Sequence, residues 1–326
     1  MPLSDEKTDN FCQNVGSRCP VSGKHGFCPP KTGDSRSPCP ALNTMANHGY
    51  MWKFSPFIER APYLPLLSNR DGKKLSPWSI QRGLRACYGL SAPLALLLTF
   101  FSFAILKRIR CIDLHEIGKH DVIEHDASLV HLDTPDGEEF APITIDQNLV
   151  DELMNDVQHK EEDSDGTESL MNLDDVARAR LRREKACRPI NKVRQEIARG
   201  EMAIILGVWE TTSKDRVGVP TEWIKKWIGQ ETLPDGWRPT HKQGLWDTIQ
   251  RSKAIRMAVE EMRKGTDKMT TTSTLSQASD SSINDEKQTL LPPSKKSSPC
   301  TIFWWTVYIV SFIVCHVTYL DDLVWI

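Results

Sequence analysis

Apolar residues recur every three or four positions from Cys39 to about Pro239, with short polar or Gly/Pro-containing breaks between the segments. This spacing places apolar side chains on one face of a helix, so it predicts a mainly α-helical globular domain. Residues 76–106 predict two helices that meet near residues 89–93. The polar segment DLHEIGKHDVIEHDASLVHLD, which begins at Asp113, predicts a short helix followed by a loop.

The second half of this pattern begins with an acidic run, KEEDSDGTES, within residues 151–175, which predicts a solvated loop. Residues 174–199 follow as a basic helix that is interrupted near Pro189. The short apolar run GEMAIILGVWE comes next, and VPTEWIKKWIGQETLPDGWRPT predicts a further helix with an irregular exit.

The end of the chain has a different composition. Residues 264–299 include TTTSTLSQASDSSINDEKQ and predict a disordered linker, because so few apolar side chains cannot bury enough surface to fold. Residues 300–320 contain no Asp, Glu, Lys or Arg, and as a helix they would span roughly 30 Å, the thickness of a bilayer core. The sequence therefore predicts an irregular lead-in at 1–33, a folded domain at 34–263, the linker, a transmembrane helix and a short tail at 321–326.

A buried terminal helix is the alternative for residues 300–320. The preceding linker and the aromatic residues near the ends of the stretch, Trp304, Trp305 and Tyr319, favour a membrane anchor. Lysines precede the stretch and aspartates follow it, so we expect the folded domain to face the cytosol from an intracellular membrane such as the endoplasmic reticulum. The apolar run at 90–106 also approaches spanning length, but its proline and its place within a globular pattern favour a core helix.

Composition narrows the choice of partner and compartment. The 326-residue chain has a formal net charge of −2 and no global basic field, which argues against nucleic acid as a partner. Nine cysteines are an odd number and too dilute for a disulfide scaffold. The first thirteen residues are polar, so we expect no secretory signal peptide and reducing surroundings for most of the chain.

Cys39 stands between two prolines at the start of a predicted helix. Pro40 suits the first helical turn because its φ is fixed and it has no N–H group to leave unpaired. At a helix N-terminus, free N–H groups and the helix dipole stabilise a thiolate. A nucleophile, an axial ligand of haem iron and a plain structural cysteine all fit this position, and spacing alone does not choose between them.

The segment that contains this cysteine, SRSPCPALNTMANHGY, resembles the proximal signature of the haem-thiolate peroxidases, the family of fungal chloroperoxidase and unspecific peroxygenase. EHDASL at 124–129, with DLHEIGKHDVI before it, resembles the second signature of that family, and VPTEWIKKWIGQETLPDGWRP is a weaker third match. The matches run from about Asp34 to Pro239. The resemblance implies a mainly α, chloroperoxidase-like helical haem domain.

The first signature implies a haem b site. In the family the cysteine of the Pro-Cys-Pro element is the fifth iron ligand, which would be Cys39 here. The neighbouring residues implied to lie at the cofactor are Pro38, Pro40, Ala41 and Asn43.

The resemblance also implies an acid–base glutamate at the start of an apolar helix on the distal side. Glu201 in RGEMAIIL is the best candidate, with the apolar run expected to bury it, and Glu196 and Glu184 are the alternatives. By the same resemblance, His125 partners this glutamate and Asp126 fixes His125.

Hard oxygen ligands are grouped closely in EHDAS, as a divalent cation requires. The resemblance implies that Glu124 and Ser128, with a backbone oxygen of His125, hold Mg²⁺ or Mn²⁺ beside a haem propionate.

The function implied by the resemblance is that of a peroxidase or peroxygenase. Its partners would be hydrogen peroxide and a small organic substrate, which it would oxidise, oxygenate or halogenate, and a lipophilic intermediate of fungal secondary metabolism fits an anchored member. Two alternatives from other classes are a non-catalytic haem-binding sensor and a membrane-tethered interaction protein with a degenerate domain. Two departures from the family pattern bear on the substrate: an apolar, Pro-rich insert at 51–68, and Val130 and His131 after EHDASL.

Overall fold

The computed structural model describes residues 25–52, 68–157, 169–213 and 216–278, with side chains up to residue 265. The chain divides into two compact units, residues 1–262 and 263–326. All elements described below belong to the first unit, except the end of the last helix.

The described part is mainly helical, which confirms the prediction of a mainly α fold. A short 3₁₀ helix covers Leu114–Gly118, within the segment predicted to form a short helix and a loop. The α-helices are α1 (Pro40–Asn47), α2 (Pro77–Tyr88), α3 (Ala92–Ile105), α4 (Gln147–Asn155), α5 (Leu173–Ala186), α6 (Lys192–Trp209), α7 (Thr221–Gln230) and α8 (Leu245–Ala278).

The two helices predicted within residues 76–106 are α2 and α3. Ser76 caps α2 by accepting the Ser79 N–H at 3.2 Å, and Pro77 takes the first helical position. Gly89 ends α2 in the left-handed region with φ 68°. Only glycine fits there, because an added Cβ would lie 2.6 Å from the carbonyl oxygen of His241.

Helix α3 packs one face into the domain, as a core helix should, and leaves the opposite face partly open. Its buried side chains are Leu94, Ala95, Thr99 and Phe103, whereas Phe101 is 46 % exposed. Among the described residues, no helix combines the length and the apolarity needed to cross a bilayer. Residues 300–320, predicted to be a transmembrane helix, lie outside the described part of the chain.

The basic segment is broken where the sequence predicts. Helix α5 ends at Ala186, Pro189 lies in the gap, and Asn191 caps α6 by accepting the Arg194 N–H at 3.0 Å. The apolar run predicted after the basic helix is the second half of α6 rather than a separate element. Gly200 lies between the two parts, but its cost of about 1 kcal/mol is too small to end the helix, which continues through both.

A small antiparallel sheet, in the order β1-β3-β2, joins the ends of these helices. Its strands are β1 (Leu170–Met171), β2 (Thr211–Ser213) and β3 (Arg216–Pro220). In register, Met171 faces Val219 and Thr211 faces Gly218. The sheet was not predicted, because strands of two to five residues are too short to show an alternating pattern.

The first part of the predicted disordered linker is helical. Helix α8 ends at Ala278, so it runs into the segment predicted to be a disordered linker from residue 264. No proline or capping signal stops it there, and a helix that is already nucleated extends at little cost. The rest of the linker, residues 279–299, lies outside the described residues.

At the N-terminal side of the domain, the last part of the predicted irregular lead-in packs on the helices. The His25 ring stacks on Tyr50 with centroids 3.8 Å apart, and the Cys28 N–H donates to the Asn47 carbonyl at 2.9 Å. Cys28 is disulfide-bonded, although no disulfide was predicted from the cysteine count. The insert predicted at 51–68 lies outside the described residues except at its ends, where Trp52 pairs with Ser68.

Candidate active site

The Cys39 residue lies at the start of α1, as predicted. It is the N-cap in an extended conformation (φ −95°, ψ 106°), with Pro40 in the first helical turn. The Cys39 N–H donates to the Ser37 hydroxyl at 3.2 Å. Pro38 is held from the other side by the close approach of Gly118, where an added Cβ would lie 2.8 Å from the proline Cδ. The turn that presents the sulfur is therefore rigid.

Asn43 fastens this turn to a distant part of the domain. Its side chain is buried; its oxygen accepts the Ser37 N–H at 2.9 Å and its amide donates to the Ser37 carbonyl at 2.7 Å. The same amide donates to a carboxylate oxygen of Glu231 at 2.6 Å. Burial raises the pKa of Glu231, although the hydrogen bond from Asn43 and the charge of Arg36 oppose that rise.

Glu231 was not predicted to be a site residue. It follows α7 with a positive φ of 51°, a conformation that no sequence pattern indicates for glutamate. Its position inside the third segment of family resemblance was the one available signal.

The protonation of Cys39 differs from the prediction. Burial raises the pKa of its thiol to about 11, which outweighs the backbone N–H groups of Leu42 and Ala41 at the helix start. The prediction that α1 favours a thiolate is therefore wrong for the chain by itself. A protonated thiol is a poor nucleophile, whereas a coordinated metal ion deprotonates a thiol outright.

These features fit a haem ligand better than a nucleophile. A rigid turn, a half-buried sulfur and two N–H groups directed at it are the surroundings that an axial thiolate requires. The Tyr88 hydroxyl donates to the Ala41 carbonyl at 2.9 Å and so secures the first turn of α1.

On the second side of the site, His125 and Glu201 lie together as predicted. Their Nε2 and Oε2 atoms are 3.8 Å apart, with the imidazole 5 % exposed and the carboxylate side chain 59 % exposed. The burial expected for Glu201 is wrong, because this residue lies on the accessible side of α6. The second ring nitrogen of His125, Nδ1, donates to the carbonyl of Asp126 at 2.7 Å. Asp126 therefore orients His125 through its backbone and not through its carboxylate.

The two alternative glutamates are engaged elsewhere. Glu184 pairs with Arg180 at 3.3 Å, and both side chains are at most 5 % exposed. Glu196 is 42 % exposed and pairs with the buried Arg199 at 2.8 Å. Of the three candidates, Glu201 is the one placed against His125.

The pKa of His125 is raised by its surroundings. Burial alone lowers it, but the charge of the Glu201 carboxylate beside Nε2, together with the carbonyl of Asp126, more than compensates. The imidazole and the carboxylate therefore attract each other. The pair can therefore hold a proton acceptor in place.

The loop that carries His125 is held by arginines of α5. Arg180 donates to the Ala127 carbonyl at 2.6 Å, and Arg183 donates to the Ser128 carbonyl at 2.7 Å. Ala127 has a positive φ of 68°, which is costly for alanine and persists only where neighbours enforce it. The sequence marked α5 as a basic helix but did not show that Arg180 is buried.

The predicted cation ligands are not brought together in the expected way. The Ser128 hydroxyl accepts the N–H groups of Val130 and His131, at 3.3 and 3.2 Å. Glu124 contacts His120, with 2.8 Å between the oxygen and Nδ1.

Among the described residues, the group with metal-ligand geometry is His120, Glu124 and Asp126, whose ligand atoms lie within 4.8 Å of one another. The Asp126 carboxylate is already bound by Arg188 at 2.9 Å. Of the two carboxylates in this group, that of Asp126 is paired with an arginine and that of Glu124 contacts a histidine ring.

The two departures from the family pattern are both buried. Val130 is 6 % exposed and His131 is 1 % exposed. Burial lowers the pKa of His131 to about 4, so its ring is neutral at physiological pH. The Val130 carbonyl accepts the N–H of Asp146, the N-cap of α4. These residues therefore pack the loop onto α4.

Two comparisons with known proteins bear on this site. A family model described as "Peroxidase, family 2" matches residues 25–53 and 63–242, which cover the Cys39 turn, the His125 loop and Glu201. An aromatic peroxidase of Fusarium equiseti, fscJ, is 61 % identical over 33 residues, which are 10 % of this chain and 8 % of that protein. This second match covers only a small part of the relative.

Proposed function

The chain belongs to peroxidase family 2, and from that premise we propose that it is a haem-thiolate peroxidase that uses hydrogen peroxide to oxidise a small organic substrate. The observation that carries the proposal is the pairing of two sites: the rigid thiol of Cys39 and the His125–Glu201 pair. In a haem-thiolate peroxidase, a thiolate ligand and an acid–base group are the protein groups that promote cleavage of peroxide.

Cys39, in the turn fixed by Pro38, Pro40 and Asn43, would hold the iron of haem b. Bound there, the haem would supply the oxidising chemistry, and electron donation from the thiolate would favour cleavage of the O–O bond. The N–H groups of Leu42 and Ala41 would hold the ligating sulfur in place. Asn43 and Glu231 would keep the turn from shifting.

Glu201 would act as the general base and then as the general acid. Its carboxylate takes the proton from one peroxide oxygen and gives it to the other, which leaves as water. His125 holds this carboxylate in position, while Arg180 fixes the backbone behind His125. A cation near Glu124 remains part of the proposal, with His120 and Asp126 as its other protein ligands in place of Ser128.

We propose an aromatic or otherwise lipophilic substrate, in keeping with the name of the Fusarium relative. Oxidation, oxygenation and halogenation share the same first step with peroxide, so the residues described do not separate them. A role in fungal secondary metabolism stays part of the proposal and rests on the family resemblance and the proposed anchor.

The test is the absorption spectrum of the full chain, expressed with added haem and reduced under carbon monoxide. We expect a strongly red-shifted Soret band, which Cys39→Ala abolishes because the thiolate ligand is lost. The matched control is Cys111→Ala, which also removes a free, half-buried cysteine and is expected to retain the band.

Each of the other outcomes would contradict this proposal or support one of the two alternative functions. A folded, haem-replete chain with an unshifted band would overturn ligation by Cys39. A chain that binds no haem would favour the membrane-tethered interaction protein, and a shifted band without turnover of peroxide would favour the sensor.

We further propose that residues 300–320 anchor the chain in an intracellular membrane, supported by their lack of Asp, Glu, Lys and Arg. The side of the membrane on which the folded domain lies is a separate question. Cys28 is disulfide-bonded, and disulfides persist in oxidising compartments, which weighs against a cytosolic domain. Protease protection of intact membranes separates the two orientations.

If residues 300–320 anchor the chain, the wild-type protein should stay in the membrane pellet on alkaline extraction. Val310→Lys combined with Ile313→Lys should release the chain into the supernatant, since each lysine near the centre of a span costs about 2.5–3.5 kcal/mol. Val310→Leu is the control and should stay in the membrane pellet. Equal extraction of all three proteins would exclude the anchor.

A further inference from the structure

Five aromatic side chains form a continuous row of ring contacts through the domain. Trp209 is the centre, with ring centroids 4.0 Å from Trp237, 4.9 Å from Trp227 and 6.4 Å from Trp223. Trp227 continues to Tyr88, with centroids 5.9 Å apart. We call these five residues the aromatic row. Contacts this close bring the π systems of successive rings within reach of one another.

One end of the aromatic row reaches the helix of Cys39. The Trp227 indole N–H donates to the Tyr88 hydroxyl at 3.1 Å, and that hydroxyl donates to the Ala41 carbonyl at 2.9 Å. Ala41 is two residues after Cys39 in the first turn of α1. The row is therefore connected to the thiol side of the site through two hydrogen bonds.

The other end of the aromatic row lines a surface cavity of about 210 Å³. Trp209, Trp223 and Trp237 form aromatic walls, and Glu210 and Arg238 add polar groups. The indole N–H of Trp209 is buried and has no hydrogen-bond partner among the described residues.

We propose that this cavity binds a phenolic or similar aromatic electron donor and that the indoles of the aromatic row pass its electron toward the Cys39 side of the haem. This inference rests on the proposed peroxidase function, which supplies the oxidant. It adds a second site, away from Glu201, at which a donor is oxidised without reaching the haem.

The reaction balances as two one-electron steps. Each phenol gives one electron to an oxidised indole of the row and one proton to solvent at the open cavity, leaving a phenoxyl radical. Two phenols and one hydrogen peroxide yield two phenoxyl radicals and two waters.

The electron passes through the indoles of the aromatic row and not through Tyr88. Burial raises the pKa of Tyr88 well above its ordinary value, and its hydroxyl donates to a backbone carbonyl that cannot accept its proton. An indole can lose an electron and keep its proton. Tyr88 acts as a positioning residue that holds Trp227 against α1.

The test locates the radical directly. The full-chain holoprotein is treated with hydrogen peroxide and a nitroso spin trap in the absence of donor, and trapped adducts are mapped by peptide mass spectrometry. We expect adducts at Trp223 or Trp237, the half-buried end of the row. Added guaiacol, a small phenol, should suppress them.

Two variants test the route. Trp209→Phe keeps an aromatic ring but removes the oxidisable indole, so the adducts at the cavity should be lost. Trp223→Phe, which alters a half-buried position and is easier to accommodate, should move the adduct to Trp237. The matched control is Trp78→Phe, because Trp78 is 51 % exposed and packs on Phe100 outside the row; it should leave the adducts unchanged.

The outcomes separate this inference from the proposed function. If peroxide changes the Soret band and a small substrate is oxidised, but no adduct forms at the cavity or adducts persist in folded Trp209→Phe, the electron route is wrong and the peroxidase stands. If peroxide leaves the Soret band of the haem-loaded protein unchanged, the electron route and the proposed peroxidase function are both wrong.

Discussion

Replacing Glu201 by glutamine is expected to lower kcat/KM for hydrogen peroxide by roughly 10²–10⁴-fold, the usual contribution of a general acid–base group. The amide occupies nearly the same volume but cannot accept a proton at neutral pH. Because Cys39 lies in a separate turn, the haem spectrum should be retained. The measurement is steady-state oxidation of an aromatic donor at varied peroxide concentration, with the Soret band recorded for each variant.

A second readout of Glu201→Gln does not depend on turnover. The charge of Glu201 helps to raise the pKa of His125, so the substitution should lower that pKa, because burial then dominates. Titration of the His125 ring by NMR checks the direction. An unchanged pKa would mean that the two side chains are not coupled in solution.

The same coupling predicts the sign of a pH effect on stability. Protonated His125 is favoured in the folded state, so its contribution to the free energy of unfolding is fully present below the ordinary histidine pKa. That contribution is lost as the pH rises through the raised value. In Glu201→Gln this loss should be smaller.

Glu196→Gln distinguishes Glu201 from its nearest alternative. Glu196 pairs with the buried Arg199, whereas Glu201 is the glutamate beside His125, so substitution of Glu196 is expected to have the smaller effect on peroxide turnover. A larger loss in Glu196→Gln than in Glu201→Gln would transfer the acid–base role to Glu196.

Features that depend on neighbouring residues were predictable. The start of α1 at Pro40, the end of α2 at Gly89 and the break near Pro189 all follow from local backbone preferences. The contact between His125 and Glu201 came from family resemblance, since no periodicity links residues so far apart.

Features that depend on tertiary burial were not predictable. Asn43 and Glu231 are 188 positions apart, and their hydrogen bond leaves no trace in either local sequence. The pKa of Cys39 was predicted in the wrong direction for the same reason. A helix N-terminus is visible in sequence, but the desolvation that outweighs it is a property of the whole fold.

Arg180→Met is expected to lower the free energy of unfolding by about 3–5 kcal/mol, because it leaves the buried charge of Glu184 without this cation. A further part of the loss comes from the Ala127 carbonyl, which accepts from Arg180 at 2.6 Å. Chemical denaturation of the wild-type protein and the variant measures the difference. Lys225→Met, which breaks the exposed pair with Glu222, is the control and should cost about 0.2–1 kcal/mol.

Adding Glu184→Met to Arg180→Met separates the charge from the hydrogen bond. Replacing both members of a buried ion pair by apolar side chains is often neutral, so the double variant should recover most of the stability. It should not recover peroxide turnover, because the Ala127 carbonyl stays unpaired and the loop that carries His125 loses its support. A double variant as unstable as the single one would show that the buried charge is not the cause. A stable double variant with full turnover would show that Arg180 does not position His125.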